Sequence, residues 1–161
     1  WDCSTENDAI LLGASKLARE ADSFASVKDL AVYSNRGLAG IDGTNSTAIG
    51  IAQATKGVTR ALLGDLTVLH DIGGLNLTGI QGLNLQLIVV NDKGGKIFDQ
   101  LEVRDTTSDT AFQKLFRTPQ YFDLEALAKG FGWNYMRVND EASLRETLSA
   151  SGCVIIEIPM D

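Results

Sequence analysis

Short apolar runs rich in β-branched residues recur along the chain, separated by stretches with helical periodicity, and this alternation limits the fold more than any other feature. Ala9–Leu12, Leu30–Tyr33, Arg60–Leu63, Leu85–Val90, Trp133–Val138 and Val154–Ile158 read as strands. Most are apolar at successive positions rather than at alternate ones, so both faces need cover. Ser46–Thr55, Asp123–Phe131 and Asp140–Ala150 carry helical spacing and supply that cover. The pattern predicts an α/β fold of three layers, an about six-stranded parallel sheet with helices on both faces. With 161 residues the chain is long enough for one core and one domain. Asp123 and Asp140 each precede a helical stretch and are read as caps.

Several function classes are disfavoured. The net charge is −7 and no lysine or arginine cluster interrupts it, so a nucleic-acid footprint is missing. Cys3 and Cys153 lie far apart without CxxC spacing, and His70 is the single histidine, which argues against a zinc site or a disulfide framework. The longest apolar runs are too short to cross a bilayer, and no basic-then-apolar leader opens the chain, so a cytoplasmic setting is expected. Trp1 stands where an initiator methionine would, and we expect the chain to be part of something longer.

Glycine-rich loops follow the first four strands, at Gly13, Gly37–Gly43, Gly64 and Gly94–Gly95, and chemistry is expected there. Asp65 and Asp92 each stand where an apolar strand ends. Ligands of open α/β sheets bind outside the carboxyl ends of strands, so the two carboxylates face one crevice if their strands are neighbours. Two carboxylates about 4 Å apart repel by roughly 4 kcal/mol at an effective dielectric near 20, more than the ~1 kcal/mol a helix cap returns. Magnesium would resolve that conflict while accepting phosphate oxygens, with glycine N–H groups cradling the phosphates. By spacing alone, two unrelated loop caps remain an equal reading. No GxGxxG turn follows the first strand, and no GxxxxGK[ST] loop occurs. The segment Asp99–Phe122 lacks a clear period and is read as a functional loop rather than a linker.

Gly64-Asp65-Leu66, twenty-four further residues and then Asn91-Asp92 resemble the signature of thiamine diphosphate enzymes, Gly-Asp-Gly followed at similar distance by Asn-Asn. Leu66 replaces the third glycine. Asp92 replaces the usual asparagine, which keeps an oxygen donor and adds a negative charge beside the diphosphate. Ser34-Asn35-Arg36-Gly37, Gly40-Ile41-Asp42-Gly43 and Gly94-Gly95-Lys96-Ile97-Phe98 make the chain similar to the 2-succinyl-5-enolpyruvyl-6-hydroxy-3-cyclohexene-1-carboxylate synthase family over nearly its whole length. Gly13–Arg19 resembles that family's first strand-to-helix turn, and Phe116–Pro119 its mobile loop.

The resemblance implies the thiamine diphosphate-binding fold, with thiamine diphosphate and magnesium, or manganese, as cofactors. It implies decarboxylation of 2-oxoglutarate and its joining to isochorismate in menaquinone biosynthesis, with the cofactor carrying the chemistry. Asp65, Asp92 and the Gly94 carbonyl match the metal ligands. Thr67 and the amides around Gly64, Leu66 and Gly95 match the diphosphate contacts. Ile41 matches the bulky residue under the bent cofactor, and Ile97, Phe98 and Leu101 an apolar wall at the reacting centre. Ser15, Arg19 and Arg36 match groups that meet substrate carboxylates, for which the planar guanidinium fork is suited. Asn35 and Asp42 are read as braces of the glycine turn, His70 as structural, and Lys96 as either a substrate contact or a solvated surface cation.

No glutamate matches the one that contacts the aminopyrimidine, which in this family lies on an amino-terminal domain. The resemblance therefore implies half an active site, completed by the pyrimidine-binding domain of another subunit in a homodimer or homotetramer. The chain alone is expected to be catalytically silent. Two other readings stay open, another thiamine diphosphate enzyme such as an acetolactate synthase or 2-oxo acid decarboxylase, and a non-catalytic module that binds phosphate ligands.

Overall fold

The computed structural model describes residues 1–35 and 40–160. Six strands form one sheet, β1 (Ala9–Leu12), β2 (Ala31–Ser34), β3 (Thr59–Gly64), β4 (Leu85–Asn91), β5 (Asn134–Arg137) and β6 (Cys153–Pro159), in the order β2-β1-β3-β4-β6-β5. Every neighbouring pair is parallel. The expected six-stranded α/β architecture is the one observed, with boundaries moved by a residue or so at most strand ends.

The double apolar face of the central strands is what the two halves of the core consume. In β3, β4 and β6 the residues Ala61, Leu63, Leu85, Leu87, Val89 and Ile155 point to one side, where they pack with Ala48, Ile49 and Ala52 of α2 (Thr44–Ala54) and with Leu124 and Ala128 of α6 (Leu124–Gly130). Ile88, Val154 and Ile156 point to the other and pack with Leu144 and Leu148 from α7 (Glu141–Thr147) and the residue that ends it. Alternation of side chains along a strand makes these two sets distinct layers.

The edges depart from the both-faces-apolar reading. All four residues of β2 are exposed, and β5 exposes Asn134, Met136 and Arg137. An edge strand has one neighbour and thinner cover, so its short apolar content is not proof of burial.

Local capping follows the sequence closely. Asp123 accepts from the Ala126 N–H at 3.0 Å and Asp140 from the Ser143 N–H at 2.8 Å, so both act as the caps expected. The helical stretch Ser46–Thr55 begins two residues earlier, at Thr44. Asp99–Phe122 is not an irregular loop: it winds into α4 (Val103–Thr106), α5 (Asp109–Phe112) and a π-turn at Gln113–Arg117. Phe112 anchors that segment at 1% exposure, and Phe116 stacks on Phe112 and lies tilted against Phe98, with centroids 5.6 Å from each. No period is visible there because each helical piece is a single turn.

Candidate active site

Register brings the strand exits together. Gly64, the last residue of β3, pairs with Val90 of β4, so Asp65 and Asp92 leave adjacent parallel strands at one edge of the sheet. Leu12 pairs with both Leu62 and Ser34, which carries the turn through Gly13 and Ser15 to the same edge. Gly13 is needed for this approach: its N–H donates to the Leu62 carbonyl at 2.9 Å, and a Cβ there would lie 2.9 Å from that oxygen.

Asp65 opens α3 (Asp65–His70) and is 2% exposed. Its Oδ1 accepts from the Leu66 N–H and its Oδ2 from the Gly94 N–H, both at 2.8 Å. Burial pushes the carboxyl above the ordinary carboxylate range; the two amides pull it back and the Asp92 charge pushes it up again. Burial also raises Asp92, against the opposing fields of Lys96, Lys16 and Arg117. Two carboxyls are thus held close, at a cost in their ionised form. Among the described residues no cluster of three or more His, Cys, Asp or Glu side chains could hold a metal. A cation here must draw on two carboxylates together with main-chain and ligand oxygens, the donor set magnesium accepts.

The turn after Asp92 is shaped by its neighbours. Lys93 has φ 60° and Gly94 φ 131°. A Cβ on Gly94 would run into the Arg117 carbonyl, so the position requires glycine on grounds of space as well as conformation. The Gly95 N–H donates to that same carbonyl at 2.7 Å, and Arg117 forms an ion pair with Asp99. The π-turn therefore lies directly over the Gly94–Gly95 corner.

Ile41 is half-buried just ahead of α2, its carbonyl accepting from Thr44 Oγ1 at 3.0 Å. Gly64 and Leu66 are half-buried, and Thr67 is buried in the first turn of α3. Ile97 and Phe98 lie half-buried on the 3₁₀ turn Lys96–Gln100, whereas Leu101 is 49% exposed and makes no closed wall within this chain. Ser15 occupies a strained turn with φ 84°, and Arg19, on α1 (Lys16–Phe24), folds back to donate to the Ser15 carbonyl at 2.8 Å. Arg36 lies outside the described residues.

Asn35 donates to Thr47 Oγ1 at 3.1 Å, reaching α2, and a Cβ on Gly40 would lie 2.7 Å from Asp42 Oδ1. His70 is exposed at the end of α3. Lys96 donates to the Met160 carbonyl at 3.2 Å while its charge bears on Asp92. Lys16 and Arg117 were not expected at the site; they come from α1 and from the π-turn, and only the folded chain brings them to Asp92. A cavity of about 410 Å³ opens beside this turn, lined by Asn91, Lys93, Gln120, Tyr121, Phe122 and Asp123, none of them among the predicted site residues.

A family model described as the C-terminal TPP binding domain of thiamine pyrophosphate enzymes matches residues 15–158, a span that includes both carboxylates and every strand exit from Ser15 onward. The chain belongs to that family. Thiamine diphosphate is the family's cofactor, and two raised carboxyls beside a glycine turn are a donor set that would accept a divalent cation carrying its diphosphate. Two relatives carry the name 2-succinyl-5-enolpyruvyl-6-hydroxy-3-cyclohexene-1-carboxylate synthase. One, from Clavibacter michiganensis subsp. michiganensis, is 46% identical over 99% of this chain, and one from Leifsonia xyli subsp. xyli is 44% identical over 100% of it. The chain spans 29% of the length of each. A crystal structure of a candidate thiamin diphosphate-dependent enzyme from Mycobacterium smegmatis superposes with a TM-score of 0.72 at 16% identity, covering 98% of this chain and 29% of that one, which establishes the shared fold. Among the described residues no helix is long and apolar enough to cross a membrane.

Proposed function

We propose that this domain is the diphosphate-binding part of a longer 2-succinyl-5-enolpyruvyl-6-hydroxy-3-cyclohexene-1-carboxylate synthase acting on 2-oxoglutarate and isochorismate. The observation that carries the reading is the buried Asp65 facing Asp92 across adjacent strand exits, with both carboxyls pushed up and a glycine corner beside them. Identity of 46% and 44% to synthases of that name supports the choice of substrates. When bound, thiamine diphosphate supplies the nucleophilic carbon and the electron sink for decarboxylation. In this reading Asp65, Asp92 and the Gly94 carbonyl hold magnesium, and the Gly64–Thr67 and Gly94–Gly95 turns meet the diphosphate once the Leu66 and Gly94 amides leave Asp65 and the Gly95 amide leaves the Arg117 carbonyl. Lys16, Lys96 and Arg117 lend positive charge to a site that must accept anionic substrates, alongside Arg19 and Arg36.

The activating glutamate belongs, on this reading, to a pyrimidine-binding domain of another subunit, so the 161-residue chain by itself is inactive and the full-length enzyme is a homodimer or homotetramer. The test is a turnover assay of the full-length protein with 2-oxoglutarate plus isochorismate, and separately with pyruvate. Product from the first pair only is expected, and Arg19→Ala or Arg36→Ala should lower its kcat/KM by about one to three orders of magnitude, roughly 1.4–4 kcal/mol, with cofactor binding kept. Turnover of pyruvate alone, or arginine variants within about twofold of the parent, would contradict the assignment.

A further inference from the structure

One buried acid is used neither by the core nor by the site as described so far. Glu157 stands on β6 at 6% exposure, on the layer that holds Ile155. Its Oε1 accepts from Asn91 Nδ2 at 2.7 Å, and its Oε2 accepts from the Tyr135 hydroxyl in a short hydrogen bond. Both donors are neutral, so the carboxylate lies buried among hydrogen bonds that use its two oxygens separately. Keeping a carboxylate in such a place is costly unless the bonds do something an apolar side chain would not.

What they hold is the residue before Asp92. Asn91 is gripped on three sides: Glu157 takes its Nδ2, the Lys93 N–H donates to its Oδ1 at 3.3 Å, and the Met160 N–H donates to its carbonyl at 2.9 Å. The Lys93 contact closes the turn in which Lys93 sits at φ 60°, and that turn leads from Asp92 to Gly94, whose N–H donates to Asp65. The Nδ2 bond to Glu157 leaves Oδ1 as the end of the amide that faces Lys93, so the carboxylate selects which way the asparagine amide points.

We infer that Glu157 is a positioning residue for the cation site, orienting the Asn91 side chain and thereby the Asp92 turn. The inference rests on the magnesium reading proposed above. Groups that orient metal ligands without touching the metal are worth about 10–100-fold in metal affinity when removed, and that range sets the expected effect.

The experiment titrates magnesium into the full-length enzyme at fixed thiamine diphosphate, following cofactor binding by calorimetry and activity in parallel. Glu157→Ala should raise the magnesium concentration needed for half-saturation by about tenfold or more, while kcat at saturating magnesium and the KM for the organic substrates stay near the parent. Glu157→Gln keeps an oxygen for Asn91 and should return magnesium half-saturation to within about threefold. Asn91→Ala, which also loses the Lys93 contact, should cost at least as much as Glu157→Ala, and the double variant should be no worse than Asn91→Ala, because Glu157 acts through Asn91. A Glu157→Ala enzyme that folds and binds magnesium within about twofold of the parent overturns the inference. Should Glu157→Ala fail to fold, Asn91→Ala decides: parental magnesium affinity there overturns the inference and a tenfold loss with Glu157→Gln near the parent supports it. Asp65→Ala runs alongside, since its retention of magnesium-dependent cofactor binding would refute the site itself, whereas its loss with an unaffected Glu157→Ala would refute only the positioning role.

Discussion

Two buried aspartates at opposite ends of β3 share the same local bonding and differ in one partner. Asp8 accepts from the Thr5 N–H at 2.8 Å and the Val58 N–H at 2.7 Å, and Asp65 from two backbone N–H groups at 2.8 Å each. Asp8 then meets a cation, Arg60 at 3.1 Å, while Asp65 meets another carboxylate, Asp92. Around Arg60 the polar groups are satisfied: it donates to Gln86 Oε1 and Ser4 Oγ at 3.0 Å each, and Gln86 passes the network on to the Leu148 and Ala150 carbonyls. Burial raises Asp8, but its amides and Arg60 outweigh that and leave it below the ordinary value. The contrast separates two uses of a buried charge. A compensated pair stitches the amino-terminal segment to β3, β4 and the end of α7, whereas the Asp65–Asp92 pair, whose burial is not fully offset by Lys96, Lys16 and Arg117, leaves room for a cation from outside.

The largest effect expected from this contrast is on folding. Arg60→Ala leaves Asp8 buried without its cation, and a urea melt of the chain should show a loss of about 3–5 kcal/mol, unchanged by magnesium. A loss under about 1 kcal/mol would mean that Arg60 does not offset the buried Asp8 charge.

Next comes pH. Asp92 has a raised carboxyl, so in the metal-free chain its penalty is absent at pH below its unfolded value near 3.8, grows as pH rises from there toward the raised folded value, and is fully present above it. Asp92→Asn should therefore raise the melting temperature of the metal-free chain at pH 7, with the gain fading as the pH falls toward 3.8. Asp8 has the opposite sign: its contribution is present above the unfolded value and is lost as pH falls through the depressed folded one. An equal gain for Asp92→Asn at every pH would mean that charge is not the cause. The same variant keeps an oxygen donor and should bind magnesium less tightly than the parent.

The smallest effect is at Ser4, 1% exposed, whose hydroxyl accepts from Arg60. Ser4→Ala should cost about 1.5 kcal/mol in the same melt, as expected for one lost bond to a charged group.

Much of this was legible in the sequence. The double apolar faces of β3, β4 and β6 predicted a parallel sheet, and Asp65 and Asp92 stood out because each followed an apolar strand with glycine nearby. What could not be read was adjacency. That β3 lies beside β4 follows from strand order, and the approach of Lys16, Lys96 and Arg117 to Asp92 follows from three separate elements folding to one corner. The grip of Glu157 on Asn91 joins residues 66 positions apart and carries no local signature. Exposure of β2 was missed for a related reason, since four apolar or small residues look alike at an edge and in the centre of a sheet.

Whether Asp65 and Asp92 form a cation site for a diphosphate is read from titration calorimetry of thiamine diphosphate into the full-length protein, with and without magnesium. The parent should bind the cofactor only when magnesium is present, and Asp65→Ala should lose that magnesium-dependent binding while retaining a cooperative melt. Cofactor affinity in Asp65→Ala equal to that of the parent would mean that the two aspartates hold no cation for the diphosphate.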